Sequence, residues 1–213
     1  MSDIFWITGA AIDKAKGALD AALQGAGLKL AWIEEVHWIG EPEDEVSDLF
    51  YGAHPVIYRW GPGALLPDFL LHTICRSLEL RERNLVLAAE VEGDRLHFTV
   101  LCAPSAVGLH NLMPHAHIAG WWALRPESLP DLHQKLEKSG FDLGCVTWLS
   151  GEPALMQRAQ TVFPDARPVG QEPSAVTGRL NLLIRRLVEE KCSHGLMLGQ
   201  AASGPLLATL VER

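Results

Sequence analysis

The sequence has no long hydrophobic run. Its apolar stretches stop at about eight residues, short of the roughly 20 that a membrane-spanning helix needs. It also has no Lys/Arg-rich segment. With 26 acidic against 18 basic residues the formal charge is −8, which disfavours nucleic acid or an anionic membrane as partner. The opening Met1-Ser2-Asp3-Ile4-Phe5-Trp6 has no positive region ahead of an apolar stretch, so no signal peptide is expected. The four cysteines, Cys75, Cys102, Cys145 and Cys192, form no CxxC. Structural zinc and a disulfide framework are therefore not expected, and reduced thiols fit a cytoplasmic location.

At 48% apolar residues the chain can bury a sizeable core, as one domain or as two small ones sharing it. Ile4–Thr8 reads as a first strand, 13–26 as a helix ended by Gly25 and Gly27, and Ala31–Ile39 as a strand. The acidic run Glu41–Asp48 reads as a solvated loop. A strand over Pro55–Trp60, a helix over 64–82 and a hairpin of Leu85–Val91 with Leu96–Cys102 complete a first half over 1–105. Residues 106–126, rich in Pro and Gly, read as an irregular connection. The second half, 127–213, follows with helices over 128–139, 154–162 and 175–191 and strands over 144–149, 195–198 and 206–211.

The halves repeat. Val36-His37-Trp38-Ile39-Gly40-Glu41-Pro42 recurs as Val146-Thr147-Trp148-Leu149-Ser150-Gly151-Glu152-Pro153. Leu96–Leu101 falls on Leu206–Val211, with Thr99 on Thr209, and Leu23…Gly27-Leu28 matches Leu136…Gly140-Phe141. Three matches in one order at nearly constant offset argue for a duplicated α/β unit with helices on both faces of mixed sheets.

The stretch Asn84-Leu85-Val86-Leu87-Ala88-Ala89-Glu90-Val91-Glu92, and the tail Gly195–Gln200 with Leu207–Arg213, resemble the thiolase superfamily of thiolases and ketosynthase-type condensing enzymes. The resemblance implies an αβαβα duplicated fold with two mixed five-stranded sheets, in a shortened chain, and it implies no cofactor. It also implies a site that has lost its chemistry. The family attacks a thioester with a cysteine at a helix N-terminus, where the helix dipole and a base lower the thiol pKa. The corresponding elbow here offers Gly61, Pro62, Gly63 or Ala64. Glu172 stands where the family has its catalytic histidine, and an ionised carboxylate only accepts hydrogen bonds. Gln200 replaces the second cysteine. Gly61, Gly63, Ala64, Glu172 and Gln200 are thus expected to line a remnant pocket, with no catalytic residue among them. In the family, dimers pair the third strand of the first half, which here carries Val56, Ile57, Tyr58 and Trp60. The resemblance implies a homodimer, or a heterodimer with an active superfamily member in contact with an acyl carrier or acyl-CoA.

Other constellations are less specific. Cys75, in Cys75-Arg76-Ser77, lies mid-helix and reads as a small buried hydrophobe. His110, His115 and His117 make a metal site conceivable, but no carboxylate lies in that segment and none is expected. Tyr51, His54 and Arg59 could line a pocket. Trp121-Trp122 suits either a core or an interface. Arg179, Arg185 and Arg186 with Glu189 and Glu190 read as a solvated helix face.

Overall fold

The computed structural model describes residues 3–6, 9–25, 27–58, 74, 83–103, 116–170, 175–200 and 205–213. The first half holds β1 (Asp3–Trp6), β2 (Ala10–Ala11), α1 (Ala15–Gly25), β3 (Glu35–Ile39), α2 (Asp44–Ser47), β4 (His54–Tyr58), β5 (Leu85–Glu92) and β6 (Arg95–Cys102). The second holds β7 (Ala116–Leu124), α3 (Asp131–Lys138), β8 (Val146–Ser150), α4 (Pro153–Val162), β9 (Arg167–Pro168), α5 (Val176–Glu189), β10 (His194–Gln200) and β11 (Leu206–Glu212).

The two sheets have one topology. The first runs β4-β3-β5-β6-β1 and the second β9-β8-β10-β11-β7. In each, three neighbouring strands are parallel and the last hairpin strand is antiparallel to both its neighbours. The sheets meet edge to edge where β1 pairs with β7, Ile4 opposite Ala116. The short β2 adds to the start of β6.

Three apolar clusters make the layers. α1 and α2 cover the outer face of the first sheet through Leu19, Leu23 and Val46. α3 and α4 cover the outer face of the second through Leu132, Leu136, Leu155 and Ala159. Between the sheets lies α5, whose Leu180, Leu183, Ile184 and Leu187 follow helical spacing and are all fully buried. Each such side chain contributes about 1.5–3 kcal/mol by leaving water. Gly195 lets this helix approach β10, since a Cβ there would lie 2.6 Å from Leu183 Cδ1. Ile74 is helical and buried in the same central layer. The rest of the helix expected over 64–82, including Cys75, lies outside the described residues. Among the described residues no helix is long and apolar enough to cross a membrane.

The duplication extends to the helix ends. Gly27 and Gly140 both have positive φ (75° and 88°). After α1 the amide of Leu28 bonds the carbonyl of Leu23 and that of Gly27 the carbonyl of Gln24. After α3 Phe141 bonds Leu136 and Gly140 bonds Glu137 in the same way. Both helices therefore stop in a glycine-dependent Schellman turn.

Several expectations need correction. The segment read as an irregular connection contains β7, a nine-residue strand, so the second half begins before 127. Its apolar face (Ala116, Ile118) is short, and Gly120, packed against the ring of Trp122, hides the alternation. The strands expected from Ala31 and Gly144 each begin with a 3-10 turn, Leu30–Trp32 and Leu143–Cys145. The acidic run 41–48 carries α2. Arg179 is buried at 5% exposure, not solvated. Finally, Trp38 and Trp148, matched in the repeat, face opposite layers. Trp38 packs with α1 and α2 and Trp148 in the central layer. A register irregularity between β8 and β10 beside Val146 shifts the phase by one residue.

Candidate functional site

The parallel strands of the first sheet end in a row of register partners. Tyr58 on β4 is opposite Ile39 on β3, Ile39 opposite Glu90 on β5, and Glu90 opposite His97 on β6. Ile39 belongs to the central cluster, and opposed residues share a face, so the row faces the central layer. Above it lies the start of α5, where the backbone amide of Thr177 donates to Glu90 Oε2 at 3.4 Å. A carboxylate at a helix N-terminus is favoured by the macrodipole. Glu92 Oε2 is 3.2 Å from His97 Nε2. Burial pulls the His97 pKa below its usual value, and the Glu92 carboxylate only partly offsets this, so the imidazole is neutral near pH 7.

A second polar chain lies deeper. Glu35 and His37 are each only 1% exposed, on the same face of β3. His37 Nδ1 is 2.8 Å from the Tyr58 hydroxyl and Nε2 is 3.1 Å from Glu35 Oε2, while Arg83 Nε donates to Glu35 Oε1 at 2.7 Å. A carboxylate only accepts, so Nε2 carries the proton and the phenol donates to Nδ1. The His37 and Tyr58 rings also stack at 5.7 Å. The sequence signal for this chain is a polar pair two residues apart inside an otherwise apolar strand, which the strand reading passed over.

The expected site residues are distributed as follows. Gly61, Gly63, Ala64, Trp60 and Glu172 lie outside the described residues, as do Arg59, His110 and His115. The segments that carry the first five adjoin described ends: one follows Tyr58 at the end of β4, the other precedes Ala175 and α5. Both ends meet the row described above. Gln200 is the last residue of β10, half-buried, opposite Leu206 in the hairpin. Val56 and Tyr58 are half-buried on β4, and Ile57 is 42% exposed. β4 ends its sheet with no strand beyond it among the described residues.

Among the described residues no three His, Cys, Asp or Glu side chains are arranged to hold a metal. His117 turns to Glu212, 3.1 Å away, and the same carboxylate is 3.7 Å from His194. The three described cysteines form no disulfide and lie apart from the row. Cys102 is buried with the outer cluster of the first sheet, Cys145 packs on that of the second, and Cys192 touches the end of the central one. Burial, then the Asp142 carboxylate, pushes the Cys145 thiol up, the opposite of an activated nucleophile. Trp121 and Trp122 point to opposite faces of β7, and Trp122 meets Phe141 edge-on at 6.5 Å. Tyr51, which could have lined a pocket with His54, lines an open cavity of about 710 Å³ with Lys16, Lys29 and Phe50, at the opposite end of β4 from the row.

No protein-family model matches the chain, and no curated protein matches its sequence. Solved structures do match. Human mitochondrial 3-ketoacyl-CoA thiolase superposes with a TM-score of 0.65 at 9% identity, over 99% of this chain and 98% of that one. The fold is the thiolase fold. The 3-oxoacyl-[acyl-carrier-protein] synthase III of Aquifex aeolicus VF5 matches at 0.61 and 10% identity, over 100% and 98% of the two chains. The tetronic acid condensing enzyme AbyA1 matches at 0.63 and 14%, over 95% and 84%. The duplicated α/β fold with two mixed five-stranded sheets that the resemblance implied is the fold observed.

Proposed function

We propose that this thiolase-fold protein has lost the acyl-accepting cysteine and serves an acyl-thioester condensing system as a non-catalytic subunit, as a chain-length factor does beside a ketosynthase. One observation carries the reading. From Tyr58 to Ile74 there is no cysteine, from 171 to 178 no histidine or cysteine, and from 200 to 205 no cysteine. These are the segments that adjoin the end of β4, the start of α5 and the last hairpin. Glu90, His97 and Tyr58 supply acid–base groups there, but no thiol that could hold an acyl group. The remnant pocket of Gly61, Gly63, Ala64, Glu172 and Gln200 then shapes a cavity rather than making bonds.

Native mass spectrometry of the protein isolated from its own cells tests this. A stoichiometric partner with an intact Cys and His is expected, and a homodimer without such a partner overturns the accessory role.

The second reading is a homodimer that binds an acyl chain or another small molecule in that pocket. The two sheet edges favour it. β9 is two residues long, an exposed Arg and a Pro, which blunts that edge against pairing. β4 is longer and carries an exposed isoleucine, and its edge invites a strand.

A further inference from the structure

The open cavity of about 710 Å³ at the far end of β4 is assembled from three short pieces of the first half. On α1, Lys16, Asp20 and Gln24 follow one another at i, i+4 spacing and share one side of the helix. The 3-10 turn Leu30–Trp32, entered from Lys29, makes a second wall, and the turn from Leu49 to Ala53 makes the third. The floor is apolar. Ile33 and Phe50 are buried, and Leu30, Leu49 and Ala53 pack half-buried on the same outer cluster. Tyr51 stands at the rim, 97% exposed.

We propose that this cavity binds a small organic monocarboxylate, its apolar body on Leu30, Leu49 and Phe50 and its carboxylate held by Lys16 and Lys29. Charge selects the ligand. The two lysines and Asp20 leave the cavity at +1, in a chain whose formal charge is −8. Among the described residues no carboxylate pairs with either lysine. The Lys29 ammonium sits 5.5 Å from the centroid of the Trp32 ring, a cation–π contact that leaves its N–H donors open to an acceptor. Asp20 is engaged within α1, where its Oδ2 accepts from Gln24 Nε2 at 2.8 Å. One negative charge therefore neutralises the cavity, whereas a phosphate or a dicarboxylate brings an excess that Asp20 repels. The volume falls within the roughly 300–1,000 Å³ of small-molecule sites, and the lining shares their character of an apolar wall with few charged groups. The ligand also gives the exposed Tyr51 ring an apolar body to pack against. This site is separate from the remnant pocket, and neither it nor the condensing-system reading depends on the other.

Amide NMR spectra of the full chain, titrated with naphthoate, test this. Shifts confined to the three walls, with Leu30, Leu49 and Ala53 foremost, are expected. The Lys16→Ala/Lys29→Ala double variant changes only exposed side chains, so it should keep the spectrum of the fold and bind about tenfold more weakly. The neutral isostere naphthamide should lose a similar factor, and naphthalene dicarboxylate should bind no tighter than the monoanion. Shifts that fall on Tyr58, Glu90 or His97 instead overturn the site. So do an unchanged affinity in the double variant, an equal affinity for the amide, or no binding at millimolar naphthoate. Shifts of the cavity amides on raising the protein concentration alone assign the groove to a second copy of the chain and overturn it as well.

Discussion

The hydroxyl of Tyr58 lies 2.8 Å from Nδ1 of His37, and that bond fastens the edge strand β4 to the interior of the first sheet. Its other end is anchored by the Glu35 carboxylate, which also takes the Arg83 guanidinium. Tyr58→Phe leaves a buried imidazole nitrogen without this donor, at a cost of about 1–3 kcal/mol. Glu35→Gln weakens two charge-assisted bonds and costs at least as much. Urea unfolding measures both, and an unchanged midpoint for either variant contradicts the buried chain.

Stability should fall in mild acid. His97 and His194 both have pKa values lowered from 6.5, chiefly by burial. The unfolded chain therefore binds more protons than the folded one as pH drops below about 6.5. The stabilisation is complete above that value and is lost as pH falls through the folded pKa values. Thermal melting from pH 7.5 to 5 should show a falling Tm, with a shallower slope in His97→Gln and His194→Gln. A slope unchanged in both variants contradicts the assignment.

Two glycines should respond in opposite directions to alanine. A Cβ at Gly151 meets the Leu198 carbonyl oxygen at 2.7 Å, and backbone cannot step aside. Gly151→Ala should cost about 1–3 kcal/mol. Gly17, inside α1, has nothing within 4 Å of that position, and Gly17→Ala should gain about 0.5–1 kcal/mol of helix stability. Differential scanning calorimetry checks the sign of each.

The matched helix ends offer a test of the duplication. Gly27→Ala and Gly140→Ala each force a side chain into positive φ and should each cost about 1–2 kcal/mol. The two losses should agree closely, and additively in the double variant, because the sites belong to different outer layers. Chemical denaturation curves decide it.

The repeat was legible because helix-ending glycines and apolar hairpin strands keep their spacing under heavy substitution. Leu96–Leu101 and Leu206–Val211 are strands in equivalent positions of the two sheets. What escaped was of three kinds. β7 has two tryptophans and a glycine where a plain strand would alternate. The Trp38–Trp148 match, an identity in sequence, is out of phase in space, because the shift beside Val146 changes which face a residue takes. The Glu35–His37–Tyr58 chain has no sequence spacing of its own, since Tyr58 is brought in by the parallel pairing of β3 with β4.

The non-catalytic role proposed above requires that this thiolase fold hold no acyl-accepting residue. Incubation of the purified protein with a short acyl-CoA, followed by intact mass measurement under denaturing conditions, tests it most directly. The unmodified mass is expected at every time point. A stoichiometric acyl adduct mapped to Cys75, or to any residue between Tyr58 and Ile74, would contradict it.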